Sequence, residues 1–297
     1  MSPIHIRVLR HSAFYSPLLL SISAGYLARQ GLTPEYDVAT AQKTVPAGIA
    51  SGEVQVAQSA VATAFAGLER GEPVPVRHFA QINERDGFFL TRRQTGQAFA
   101  WSDLVGQPVL VDHFFQPLAM FRYALHKQGM GLEDLQVIDA GDVEAMDRAY
   151  RDGSGAYIHQ QGPYAQQLEA DGLGEVVAAI GEVIGPVAFS SLCASQAWLQ
   201  TDMAQAFMAV YRQGLASARE MPAQEMVPLL TGFFPHIDPA VLARTIQSYQ
   251  QLGCWQPEPA ISEMAFETTL DVFSHSGQIS RRYAYEEICC RPPDEAA

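Results

Sequence analysis

At 297 residues, 48% of them hydrophobic, the chain is too long for one small core and fits one large α/β domain or two of ordinary size. Only 17% of positions are charged, yet no apolar run approaches the roughly 18 to 20 residues that cross a bilayer. A formal net charge of -13 without clustered Lys and Arg excludes a nucleic-acid footprint, and Arg92-Arg93 and Arg281-Arg282 read as isolated pairs in solvated turns.

The N-terminal run Ile4 to Arg10 reads as a strand, with no basic segment, apolar stretch and cleavage site of a secretory leader before it. The expectation is a cytoplasmic protein if the chain is complete and a periplasmic one if a leader has been trimmed. A polar turn from Ser12 to Ser16 follows, then a helix from Pro17 to Gln30 closed by Gly31. The same grammar, with Pro in the first helical turn and Gly just past the end, recurs twice. Val109 to Val111 leads through Asp112 to Gln116 into a helix from Pro117 to Gln128, and "YIHQQGPYAQQLEADG", residues 157–172, is the third instance. Such alternation predicts parallel sheets with helices on their faces.

Between the first two units lie a strand near Glu35 to Ala39, a helix near Thr44 to Ser51 and the run Val54 to Ala57. Ser59 stands where it would cap a helix through Phe65 and Leu68. Val74 to Ile82 and Phe88 to Thr91 read as extended. Residues 101–187 hold strands at Val109, Gln136 to Ile138 and Ala156 to Ile158, enough for a second lobe. After the run Val187 to Ala194 the chain is helical: 202–218, 223–230, 239–252 and 262–274, elements expected to pack back on the first lobe.

Cys193, Cys254, Cys289 and Cys290 lack zinc-type spacing and read as reduced thiols, with a redox role for the vicinal pair as the alternative; neither metal nor cofactor is expected. Glu84-Arg85-Asp86 reads as a charged turn. No GxSxG elbow, HExxH, Walker loop or GxGxxG after a strand is present.

Ligands of open α/β sheets bind beyond the carboxyl ends of the strands. The rule selects loops 12–16, 58–60, 113–116 and 159–162 and the run at 189–191. Their side chains mix flat apolar surface with donors and acceptors, as a small, partly planar ligand requires. The candidate ligand-binding residues are Ser12, Phe14, Tyr15 and Ser16; Ser59 and Ala60; His113, Phe114, Phe115 and Gln116; His159, Gln160 and Tyr164; and Ser190. Aromatics at strand ends also serve as core, and a single histidine also serves as hydrogen-bonded structure, so each residue alone keeps both readings.

The segments "FYSPLLLSISAGYLARQGL", "VPAGIASGEVQVAQSAVATAFAGLERGEPV", "WSDLVGQPVLV", "IHQQGPYAQQLEADG" and "YQQLGCWQPEPAISEMAFETTLDVFSHSGQI" occur in order over nearly the whole chain. In them the chain resembles the solute-binding proteins for nitrate, sulfonates, taurine and thiamine-pyrimidine precursors, which share a fold with the thiamine-pyrimidine synthases. The resemblance implies an α/β, two-lobed, hinge-closing fold of the periplasmic-binding-protein type II. Lobe I would comprise residues 1–92 and 188–297 and lobe II residues 93–187, with crossovers near 91–93 and 187–191. It implies a monomeric protein that binds a sulfonate, nitrate-like or pyrimidine-like compound and serves an ABC permease. The alternative is a cytoplasmic enzyme of thiamine-precursor or organosulfur metabolism on the same fold. Against the enzyme, the helix "SAVATAFAGLERG" lacks the Lys and His of the synthases, and the first loop has His11, Ser12 and Ala13 where the sulfinate desulfinases carry a nucleophilic Cys.

Overall fold

Four strands, β1 (Ser2–Val8), β2 (Leu32–Val38), β3 (Val56–Ser59) and β4 (Arg77–Asn83), begin a first sheet in the computed structural model, which describes residues 1–293. The next five, β5 (Phe88–Arg92), β6 (Pro108–Leu110), β7 (Gln136–Ile138), β8 (Tyr157–Gln161) and β9 (Glu175–Ala179), make a second sheet. The last, β10 (Ser190–Ala194), returns to the first. The strand orders are β2-β1-β3-β10-β4 and β7-β6-β8-β5-β9.

Both sheets are mixed, where the alternation of elements predicts parallel ones. In each, three strands joined through crossovers run parallel: β1 with β2 and β3, and β6 with β7 and β8. The strands that follow a passage between sheets, β5 and β10, run the other way. Thus β10 is antiparallel to β3 and β4, and β5 to β8 and β9.

Local chemistry sets the frame. Ile4, Ile6 and Val8 alternate into the core at 0% exposure, and Arg7 of the same strand is buried by a two-pronged ion pair with Asp37 of β2 (2.7 and 2.8 Å) and a contact to Glu53 (2.9 Å). Helix 16–23 stops short of the predicted end because Gly25 turns into the left-handed region (φ 71°), and the chain resumes as a short helix at 26–29. Ser59 does not cap a helix: it is the last residue of β3, Ala60 takes the cap position, and the Ser59 hydroxyl meets that of Thr63 at 3.1 Å.

The chain leaves the first sheet through Glu84–Gly87, so residues 91 and 92, expected at the crossover, lie within β5. Glu84 and Asp86 are buried rather than exposed in a charged turn, since this passage runs under the C-terminal helices: Glu84 Oε1 accepts from Ser262 (2.5 Å) and its N–H donates to the Cys254 carbonyl (2.9 Å). Arg92 is buried as well, its guanidinium capping the carbonyls of Gln94 and Gln97, whereas Arg281 and Arg282 pair with Glu287, Glu267 and Asp271 at the surface.

Helix 202–220 lies along helix 16–23, at Gly214, where a Cβ would stand 2.4 Å from the Pro17 carbonyl oxygen. Helices 239–252 and 263–275 reach both sheets' layers. Thr245 donates to Gln166 at 3.4 Å, and Phe273 packs on Phe115 at 5.1 Å between ring centres. The four cysteines are free thiols, three of them buried. No helix among the described residues is long and apolar enough to cross a membrane.

Candidate functional site

The carboxyl ends of β1, β3, β6 and β8 face one another across a cavity of about 60 Å³, room for about two water molecules. The two walls therefore lie close together. From the first sheet come Arg10, just past β1, then Tyr15, Gln58 and Ala60 and, beside β10, Phe189 and Ser190. From the second come Phe88, which opens β5, the run Phe114 to Pro117 after β6, and Gln161, the last residue of β8.

Polar groups are placed by partners. Gln58 donates to Ser190 Oγ (2.9 Å), and its carbonyl end receives the Leu9 N–H (3.0 Å), so β3, β10 and the first loop are tied together. Gln116 crosses between the lobes, donating to the Phe189 carbonyl at 2.7 Å. The Tyr15 hydroxyl faces Ser190 and, across the cleft, Gln161; burial pushes this phenol above its ordinary pKa, so it stays protonated and able to donate.

Arg10 is the charged side chain among the described residues that line the cavity. Its Nη1 donates to Asp112 Oδ2 of the opposite lobe at 3.0 Å, and its guanidinium lies 5.1 Å from the Phe114 ring centre and 6.0 Å from that of Phe88. The site thus offers one cation, five aromatic rings and three amide side chains. That set can take an acceptor-rich head at Arg10 and a flat or short apolar body against the rings.

Of the residues expected from the sequence, the structure brings Tyr15, Ala60, Phe114, Phe115, Gln116 and Ser190 around this cavity. Ser12 stands behind it, donating to the Gly162 carbonyl of the other lobe (3.0 Å) and accepting from the Phe14 N–H (3.2 Å). Phe14 lies in the core against Tyr249 (4.8 Å) and Phe189 (5.5 Å), and Ser16 is fully buried, donating to the Ala13 carbonyl (2.7 Å). Ser59 meets Thr63, as above. His113 Nδ1 contacts the Val111 carbonyl (2.7 Å), with Asp139 at 3.7 Å. His159 is buried between Phe88 and Phe121, each 4.7 Å from its ring centre, and desolvation holds its pKa down at about 4. Gln160 points to the opposite face of β8, donating to Asp147 at 3.4 Å, and Tyr164 opens helix 164–170.

The named candidates left out Leu9, Arg10, Gln58, Thr63, Phe88, Pro117, Gln161 and Phe189, of which Gln58, Gln161 and Phe189 stand in the selected loops without having been named. Arg10 had a signal: it is a lone cation at the carboxyl end of the first strand, and the strand stops at Val8, two residues earlier than predicted. Phe88 and Thr63 had none, since one opens a strand and the other lies in a short helical turn.

The sequence model of the family described as NMT1/THI5 like matches residues 13–225, well over half of the chain. The chain is 26% identical over 295 residues to the putative binding protein YtlA of Bacillus subtilis (strain 168), covering 97% of this chain and 87% of that one. Among solved structures, the alkanesulfonate-binding protein SsuA from Xanthomonas axonopodis pv. citri, bound to MOPS, superposes with a TM-score of 0.74 at 15% identity, over 98% of this chain and 99% of that one. The desulfurization enzyme DSZB superposes with a TM-score of 0.67 at 13% identity, over 99% and 97%. The last two likenesses establish the fold: two lobes of the generic periplasmic-binding-protein type.

Proposed function

The chain belongs to the NMT1/THI5-like family, and from that premise we propose that it is a substrate-binding protein of the ABC-importer type that holds a small solute between its lobes. The lobes divide at the passages 84–87 and 180–189 and close about them as a hinge, presenting a changed surface to a membrane permease. The ligand belongs to the class of sulfonates, nitrate-like ions and pyrimidine-like rings, and within it an organic sulfonate uses the cleft best.

The observation that carries this reading is Arg10 set among aromatic rings between the two sheets. A sulfonate head would take the guanidinium and the amide of Gln161, the Gln58 amide being held by Ser59 and Ser190, while its carbon body lies on Phe114, Phe115 and Tyr15. Bare nitrate uses the polar half alone, and a neutral pyrimidine offers ring-nitrogen acceptors and a flat face but brings no charge to Arg10. An alkanesulfonate is the ligand class of a solved neighbour with the same fold. Ser190 serves the frame of the cleft on this reading: its hydroxyl accepts from Gln58 and donates to the Ser59 carbonyl, tying β10 to β3.

Calorimetric titration with ethanesulfonate, benzenesulfonate, nitrate and 4-aminopyrimidine tests the reading. The expected result is sulfonate binding at least about tenfold tighter than nitrate or the pyrimidine, abolished in Arg10→Gln. Pyrimidine binding without sulfonate binding, or release of sulfite from either sulfonate, would overturn it.

A further inference from the structure

Arg10 and Asp112 are brought together from different lobes, and the two partners are held very differently. Asp112 has an exposure of 5% and is fixed to its own loop, its Oδ1 accepting the Phe114 N–H at 2.8 Å while Oδ2 takes Arg10 at 3.0 Å. Arg10 reaches over from the end of β1 on a long flexible stem and keeps 26% side-chain exposure. Of its five N–H groups Asp112 takes one, on a guanidinium that lines the cavity near the rings of Phe88 and Phe114. Arg10 is therefore present at the cavity with its charge already compensated by a carboxylate that cannot move aside without leaving the Phe114 N–H unpaired.

We infer that Asp112, which does not itself line the cavity, lowers the affinity of every anion at Arg10, so that bare oxyanions become poor ligands and only anions with a carbon body are still held. The inference rests on the reading of the cleft as an organic-oxyanion site. An anion that binds Arg10 must share the guanidinium with Asp112 and sit within a few ångströms of a like charge, which opposes binding. A ligand with a carbon body recovers the loss on the aromatic wall. An inorganic ion of the same charge has nothing with which to do so. Selection against abundant inorganic anions is thus built into the site as a repulsive element, beside the attractive one.

The test is calorimetry at constant ionic strength with sodium nitrate and sodium ethanesulfonate on the full chain as wild type, Asp112→Asn, Asp112→Ser and the double variant Arg10→Gln/Asp112→Asn. Asn and Ser both keep an acceptor for the Phe114 N–H, so the loop retains its turn in at least one of them, checked by an unchanged melting profile. The expected result is nitrate affinity about tenfold higher in Asp112→Asn and Asp112→Ser than in wild type, a similar gain for ethanesulfonate, which carries the same charge, and loss of both gains in the double variant. Nitrate affinity unchanged or lowered in both single variants overturns the inference, because Asp112 then orients Arg10 for the anion instead of competing with it. Failure of the two readings separates cleanly. If wild type binds no sulfonate but the single variants gain nitrate, the proposed ligand class falls and the role of Asp112 stands. If wild type binds ethanesulfonate and the variants gain nothing, the role of Asp112 falls alone. If no form binds either anion, both fall.

Discussion

Gln160 and Gln161 are sequence neighbours on β8, so their side chains leave opposite faces of the sheet. Gln161 reaches the cavity and Gln160 turns to Asp147 of helix 143–151. The account therefore predicts that Gln161→Ala weakens ethanesulfonate binding about tenfold, as expected when a buried ligand group loses its partner, while Gln160→Ala stays within about threefold. Calorimetry on the two variants checks this, and the reverse order would mean that β8 presents its other face to the ligand. Alternation shows from sequence alone that His159 and Gln161 share one face and Gln160 the other. Which face meets the cleft depends on the pairing of β8 with β5 and β6, a long-range fact that no local pattern carries. The place of Arg10 at a strand end was legible, but its meaning was not, since it comes from the carboxylate and rings that arrive from the other lobe.

Most elements were readable because each carries its own start and stop chemistry. Thr44 and Ser262 cap helices 45–51 and 263–275 through their hydroxyls, and Gly52 and Gly253 close helices in the left-handed region. Strand β9 escaped, since the run Glu175–Ala179 is short and half-buried throughout, without the alternation that marks a strand. The passage 84–87 looked like a charged turn, and what it does instead gives a pH prediction. Asp86 is fully buried; its Oδ1 accepts the Phe88 N–H at 2.6 Å and its Oδ2 has no partner. Burial, reinforced by the nearby charge of Asp112 and opposed by the Phe88 N–H, pushes its carboxyl up to about 8. An unfolded aspartate ionises near pH 4, so between there and pH 8 the folded protein binds the extra proton and stability falls as pH rises. Asp86→Asn removes that dependence. Its melting advantage over wild type should grow from pH 5 to pH 8, by at most about 4 kcal/mol, with the contribution of other titrating groups cancelling in the difference. A gap that is flat with pH would show that Asp86 is ionised in the folded protein.

For the whole molecule, the two mixed sheets, the double passage between them and the C-terminal helices that bind both layers explain how the ends of four strands from separate parts of the chain meet in one cleft. The same architecture carries binding proteins and a desulfurization enzyme, so fold does not decide between them, and the side chains of the cleft must. Those side chains place one compensated cation opposite an aromatic wall between the lobes. The most direct test is a crystal structure of the protein grown with ethanesulfonate. The account predicts the sulfonate within hydrogen-bond distance of the Arg10 guanidinium and Gln161, its carbon chain against Phe114 and Phe115, and the walls moved apart to admit it. Ethanesulfonate found instead in the outer groove by Arg77 and Arg291, with the space between the sheets unfilled, would contradict it.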